Sequence, residues 1–551
     1  MKLRTQCLVS AAAAVVAMLA AVALARAETC TLELKRLESQ GRSGSDYIYR
    51  ATSPQHFFVQ MGKNMPRMGD QQQTAAFKKI VKKEPKYESD FPFRSVAKLG
   101  SQEFAFALDA VLPTPAPKDG KPDGEKAKAE DKKPKADSAV AKLADQLLKA
   151  VAPAETPSLV AINYNRLYFD FNRNGDLTDD KVVEAEPEQG ARPMTSGRQS
   201  YWQFQFPRLD VTIDAEGTKL DSSFFLTGQV MVSPDFSYAS ISLNAAAYRE
   251  GDITLDGKKR HIVLIDFNSN GRFDDQIKIV KVMISRGGQP VSEIHPQQGD
   301  MLLVDPNPSK PGIDSPYDIT SGDSRHYVSK LVNIDGRFYG LKISPAGDKL
   351  TLDPSSTLLG NVTNPNDGFR AVIYSDQSFL KIRGNKGTPV PVPEGEWKLL
   401  SYTINQTERP EPSKPAEKKE EWLKEDSLWQ SLVKTAESLL GGGTRPVSPP
   451  VSRSRNSVVT AQATAAYTAV KVGKGETVEL PFGPPYKPVV TAYPMGDQNG
   501  AKQMSLQMSL VGSTGEVCTN MMVDGGRPSK PEFTITDDKG KVIEQGSFEY
   551  G

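Results

Sequence analysis

A chain of 551 residues is too long for one ordinary core, so roughly two to four domains are expected. Lysine plus arginine (68) nearly balances aspartate plus glutamate (67), which excludes the basic excess of a nucleic-acid binder. A hydrophobic content of 38 % with 25 % charged residues fits a soluble globular protein with polar linkers, and four histidines leave little room for imidazole or zinc chemistry.

Residues 1–27 read as a signal peptide. Lys2 and Arg4 form a positive n-region, Leu8 to Leu24 an alanine-rich apolar run, and Ala25-Arg26-Ala27 a small-residue cleavage site. An uncleaved anchor is the alternative, because the run is near the lower limit for spanning a bilayer. No later segment is long and apolar enough to span, so no transmembrane span is expected after cleavage. Glu28 and Thr29 argue against lipidation at Cys30. Cys30 and Cys518 can pair in an oxidising compartment or stay apart as two half-buried thiols, and the sequence leaves both open.

Residues 28–112 form an N-terminal mixed α/β segment with a strand near Glu103 to Leu108, where Phe104, Phe106 and Leu108 alternate. Residues 113–137 are a disordered linker of Pro, Lys, Asp, Glu and Ala, too polar to offset its ordering entropy. A central β-rich domain is expected over 138–407, opening with a short helix to about Ala152. Its strands are Trp202 to Phe206, Leu209 to Ile213, Phe224 to Val232, Ile241 to Leu243, Ile277 to Ile284 and Met301 to Val304. Asp256-Gly257 and Asp335-Gly336 sit between apolar runs, where tight hairpin turns form. Residues 408–456 are a second linker carrying an amphipathic helix, with Trp422, Trp429, Leu432, Val433, Ala436 and Leu440 on one side. Residues 457–551 read as an immunoglobulin-like β module. The fold class is therefore mainly β: an antiparallel sandwich or barrel in the centre and an immunoglobulin-like module at the end, with short helices and disordered linkers.

The central domain contains one chemical signal, and it occurs twice. Asp170 to Asp180 reads DFNRNGDLTDD and Asp266 to Asp275 reads DFNSNGRFDD, each between apolar runs. A hard divalent cation takes six or more oxygens, and a tight turn supplies them when alternate residues point inward. Asp170, Asn172 and Asn174 give side-chain oxygens, Gly175 the bend, Asp176 a carbonyl, and Asp179 or Asp180 closes the shell. Asp266, Asn268, Asn270, Gly271, the Arg272 carbonyl, and Asp274 or Asp275 take the same roles. The bland reading is a pair of Asn-Gly turns whose side chains bond their own backbone.

These residues resemble the DxNxNGxxxD calcium loops of dockerins, thrombospondin type-3 repeats and degenerate EF-hands, over about a dozen residues each. The resemblance implies structural calcium held near the extracellular ~10⁻⁴ M range, not sensing. Lys181 and Ile277 stand where an EF-hand carries its closing glutamate, and the flanks read as strands. The whole layout, down to the closing GSFEYG, also resembles large exported bacterial proteins, which implies location and architecture but no mechanism.

No HExxH, CxxC, GxSxG, P-loop or dinucleotide fingerprint is present. Gly322-Asp323-Ser324 continues with Arg325-His326, where trypsin-like sites carry two glycines. The expected protein is exported, to the periplasm, cell envelope or outside. It carries structural Ca²⁺ and binds a cell-envelope or extracellular polymer or protein, with no nucleic-acid partner. The rival is an extracytoplasmic hydrolase of polysaccharide, in which an Asp or Glu pair opens into a cleft beside an aromatic platform such as Trp202.

Overall fold

The computed structural model describes residues 26–38, 52–62, 65–68, 70–89, 91–110, 164–186, 194–196, 199–233, 236–286, 289–297, 299–306, 324–407, 456–498 and 501–550. The expected signal peptide (apart from its last two residues), the charged linker, the helix ending near Ala152 and the linker with the Trp422 to Leu440 helix lie outside them. The described chain is mainly β, in several sheets, with one short helix, Asp70–Ile80. None of its helices is long and apolar enough to cross a membrane.

The chain divides into two compact units: residues up to Lys278 with Gln297–Ser355, and Ile279–Pro296 with Ser356–Gly551. The expected boundary at residue 112 is not a boundary between cores. In the first unit Gln55–Gly62 lies beside Phe236–Ala245, and Gln102–Asp109 beside Arg166–Phe169, so the N-terminal strands are built into sheets with later ones.

Two sheets of this unit share a core. One contains Gln55–Gly62, Phe236–Ala245, Thr218–Val232 and Gln199–Gln205; the other contains Phe93–Leu99, Gln102–Asp109, Arg166–Phe169 and Val183–Glu184. Phe57, Phe106, Phe169, Phe204, Phe206 and Phe224 fill the space between them. Aromatic rings of this size bury large apolar area, which is the main term holding the layers together. A second core joins a five-stranded sheet, which includes Lys258–Ile265 and Met301–Val304, to a four-stranded sheet that starts with Glu28–Thr31.

The alternating patterns become strands with alternating burial. Leu209–Ala215 buries Leu209, Val211, Ile213 and Ala215 and turns Asp210 and Thr212 outward. Asp256-Gly257 and Asp335-Gly336 form the expected turns, with positive φ at both residues of each pair. Leu255 faces Lys258 and Ile334 faces Arg337 across them. Glu216-Gly217 makes the same turn without the Asp-Gly signature.

The second unit is dominated by an eight-stranded sheet that includes Phe369–Tyr374, Gly395–Thr407, Asn456–Gln462, Val517–Met522 and Ala501–Val511. Gly395–Thr407 pairs with Asn456–Gln462 from Ser401↔Gln462 to Thr407↔Asn456. The expected division between 407 and 457 therefore runs through one sheet. The physical reason is simple: neither strand is an edge, so neither could end a self-contained module without exposing unpaired backbone. Among the described pairings one is parallel between named strands, Leu359–Thr363 with Thr477–Glu479.

Candidate cation loops

Both loops fold the same way, position by position. Each follows a strand that ends in a buried apolar residue, Phe169 in one and Ile265 in the other. The fourth residue is left-handed in each (Arg173 φ 58°, Ser269 φ 57°), and so is the glycine (Gly175 φ 81°, Gly271 φ 84°). The eighth residue is a buried apolar anchor, Leu177 or Phe273.

The side chains repeat as well. Gly175 N–H donates to Asp170 Oδ2 at 3.1 Å, and Gly271 N–H to Asp266 Oδ2 at 2.7 Å. Asn172 Oδ1 accepts the Asn174 N–H (2.9 Å), as Asn268 Oδ1 accepts that of Asn270 (3.2 Å). Asn174 Oδ1 takes the Asp176 N–H and Asn270 Oδ1 the Arg272 N–H. The tenth residue closes both loops: Asp179 accepts from the Asn174 amide at 2.7 Å, and Asp275 from the Asn270 amide at 2.6 Å. These are linked Asx turns, in which the short side chain replaces a backbone acceptor.

Not every candidate faces inward. The Asp176 carboxylate turns to Lys83 Nζ (2.8 Å) and Thr178, which hold it low, at a pKa of about 2. Asp274 is taken by the Arg272 guanidinium through two contacts (2.9 and 2.8 Å). Of the two alternatives in the second loop, Asp275 is therefore the one that closes it. In the first loop both Asp179 and Asp180 stay near Asp170. Burial and the charges of Asp170 and Asp179 push Asp180 up to about 6.

One residue of the second loop was invisible in the sequence. Asp300 is fully buried and accepts N–H groups from Phe267 (3.1 Å) and Asp275 (2.8 Å), the two ends of the loop. Burial, and then Asp266 and Asp275, raise its pKa well above the carboxylate range, and burial raises that of Asp266 also. Asp180 stands in the same relation to the first loop. It draws on the N–H groups of Phe171 and Asn172 and is raised by burial and then by Asp170 and Asp179. The second loop has Gln276 at that position, so Asp300 supplies from outside the carboxylate that Asp180 supplies from within. Each loop thus gathers three carboxylates.

The loops differ in how well those carboxylates are satisfied. Asp170 is fully buried, and its Oδ1 has no hydrogen-bond donor; Asp180 Oδ2 is a second buried oxygen without one. Both oxygens of Asp266 and both of Asp300 have backbone donors. Among the described residues no group of three or more His, Cys, Asp or Glu side chains is placed to hold a metal ion.

The glycine of the first loop cannot be replaced without moving its surroundings. A Cβ on Gly175 would lie 2.5 Å from the Ile80 carbonyl oxygen, and φ is left-handed. Gly175→Ala is expected to lose at least ~1–2 kcal/mol from the backbone conformation alone, with the clash adding to it. Urea unfolding checks this, and an unchanged midpoint would show that the loop and Ile80 separate freely.

The other sequence candidates lie elsewhere. Trp202 is half-buried against the first core. Cys30 is buried in the first unit and Cys518 lies in the second, and both are free thiols. Ser324 precedes the strand Arg325–Tyr327, and Gly322 and Asp323 lie outside the described residues.

Comparison of the chain with protein-family models, with curated proteins and with solved structures returns no match.

Proposed function

We propose that both loops hold calcium as a structural ion, in an exported β-rich protein that binds or builds part of the cell envelope or extracellular matrix. The observation that carries this reading is the pair of buried carboxylate oxygens, Asp170 Oδ1 and Asp180 Oδ2, without a donor. Burying a charged oxygen unpaired costs several kcal/mol as an order of magnitude, and a hard cation is the partner that removes the cost. The donors at hand are carboxylate, amide and main-chain oxygens with no thiolate or imidazole among them, which suits calcium and not zinc.

Asp170, Asn172, Asn174, Asp179 and Asp180 would hold the first ion with the Asp176 carbonyl. Asp266, Asn268, Asn270, Asp275 and Asp300 would hold the second with the Arg272 carbonyl. An ion would fix loop geometry there and screen three mutually repelling carboxylates. In this reading the first unit is a scaffold of face-packed sheets braced by calcium. The second unit, all-β in its described residues, is the part that meets a polymer or protein. Export rests on the pattern of residues 1–27. Among the described residues the carboxylates with raised pKa lie in the loops or, as Asp300 does, against one of them, and no specific observation favours the hydrolase reading.

Calorimetric titration of the purified chain with calcium tests the proposal. Two sites are expected, one lost in Asp170→Asn and the other in Asp266→Asn. Asp300→Asn should weaken the second by roughly ten- to a hundredfold and leave the first alone. Heat for no site in any of these proteins would refute the calcium reading.

A further inference from the structure

We infer that the ion in the first loop controls whether the last turn of the helix Asp70–Ile80 and the residues after it stay docked, so that calcium regulates the order of this N-terminal segment. This inference rests on the calcium reading of the same loop.

The helix itself packs chiefly on the strand Phe93–Leu99, and the residues that follow it are tied to the loop. Gly175 O accepts the N–H groups of both Lys82 (2.8 Å) and Lys83 (3.1 Å), and Leu177 N–H donates to Lys83 O (3.1 Å). Lys83 Nζ reaches Asp176 at 2.8 Å, and Lys82 Nζ reaches Asn174 O at 3.1 Å. The apolar side of the contact runs through the loop too. Phe77 of the helix is fully buried in a small cluster with Ala105, Ala107, Tyr168 and Leu177. Leu177, the eighth residue of the loop, thus belongs to the cation loop and to the helix's core at once.

By its own sequence the helix is only weakly stable. Its first turn is Asp70-Gln71-Gln72-Gln73, and an isolated helix of this length is marginal in water. Its C-terminal carbonyl end, at Ile80, lies against Gly175 and carries the negative end of the helix dipole toward a loop that already holds three carboxylates. Without a cation, Asp170, Asp179 and Asp180 repel one another, and Asp170 Oδ1 is buried without a donor. The least costly relief is for the loop to open and hydrate them. Opening moves Gly175 and Leu177, which removes the backbone bonds to Lys82 and Lys83 and one of the side chains packed around Phe77.

Hydrogen-exchange mass spectrometry of the full chain, with calcium or with chelator, reads this segment directly. The expected result is that calcium slows exchange of the amides from Phe77 to Lys83 on the order of tenfold, while strands such as Leu209–Ala215 do not change. In Asp170→Asn the slowing should disappear. Asp180→Asn, which keeps the Asp170 contact with Gly175, should do the same if the first variant folds poorly. Calcium bound by titration, with no change over Phe77 to Lys83, would overturn the inference and leave the calcium reading standing. Absence of calcium binding would overturn both.

Discussion

Saturating calcium is expected to raise the unfolding temperature of the full chain, relative to the same protein in chelator, by on the order of 5 °C for each site. The size follows from mass action. A ligand at about a hundred times its dissociation constant that binds only the folded state contributes about 2.7 kcal/mol, and a unit of this size converts each kcal/mol into about 2–4 °C. Asp170→Asn and Asp266→Asn should each lose about half of the rise, because the loops share their geometry but not their surroundings. Equal melting temperatures with and without calcium would mean that the loops are complete as turns, their hydrogen bonds being all they require.

Proton binding gives the second large effect, with opposite signs in the chelated and calcium-loaded protein. In the chelated protein the folded state raises Asp180 from 3.8 to about 6 and raises Asp170, Asp266 and Asp300 in the same direction, mainly through burial. The folded state therefore binds more protons than the unfolded chain in this window. That contribution to stability is full below the unfolded pKa near 3.8 and is lost as pH rises through the folded values, for Asp180 through about 6. Asp176 runs the other way: held at about 2 by Lys83 and Thr178, it loses its contribution as pH falls toward that value. Calcium competes with the protons on the raised carboxylates, so the calcium-induced rise in melting temperature should be larger at about pH 8 than at about pH 5. Melting curves at both pH values, with and without calcium, check this, and a rise independent of pH would show that these carboxylates do not meet the ion.

Much of this fold was legible because the strands that matter are half-buried and alternate. Leu209–Ala215 shows its inward face residue by residue, and Asp256-Gly257 and Asp335-Gly336 announce turns that need positive φ at both positions. The loops were legible for a related reason: Asx turns need Asp or Asn at alternate positions and glycine where the chain turns left-handed. What escaped notice was set by distant partners. Asp300 lies 25 residues beyond Asp275 and becomes part of the loop only through two backbone donors. The helix Asp70–Ile80 has a polar opening turn and buries Phe77 against Ala105, Ala107, Tyr168 and Leu177, all of them well beyond it in the chain. Unit boundaries were hidden for the same reason, since composition marks linkers but does not report that the strands on either side of one lie together. Asp274 and Asp275 were indistinguishable until Arg272 was seen to take the first.

The pairing of Gly395–Thr407 with Asn456–Gln462 has a practical corollary. Thr407 and Asn456 are neighbours through the sheet, so the pairing of the two strands holds their ends together. Lengthening the chain between them should cost only about 0.6 kcal/mol for each doubling. A single nick there would yield two fragments that remain associated and separate only in denaturant. The gene could be opened at this point to carry an inserted domain or a reporter, whereas the last stretch of the chain, expressed alone from Asn456, would leave a central strand bare and self-associate along it.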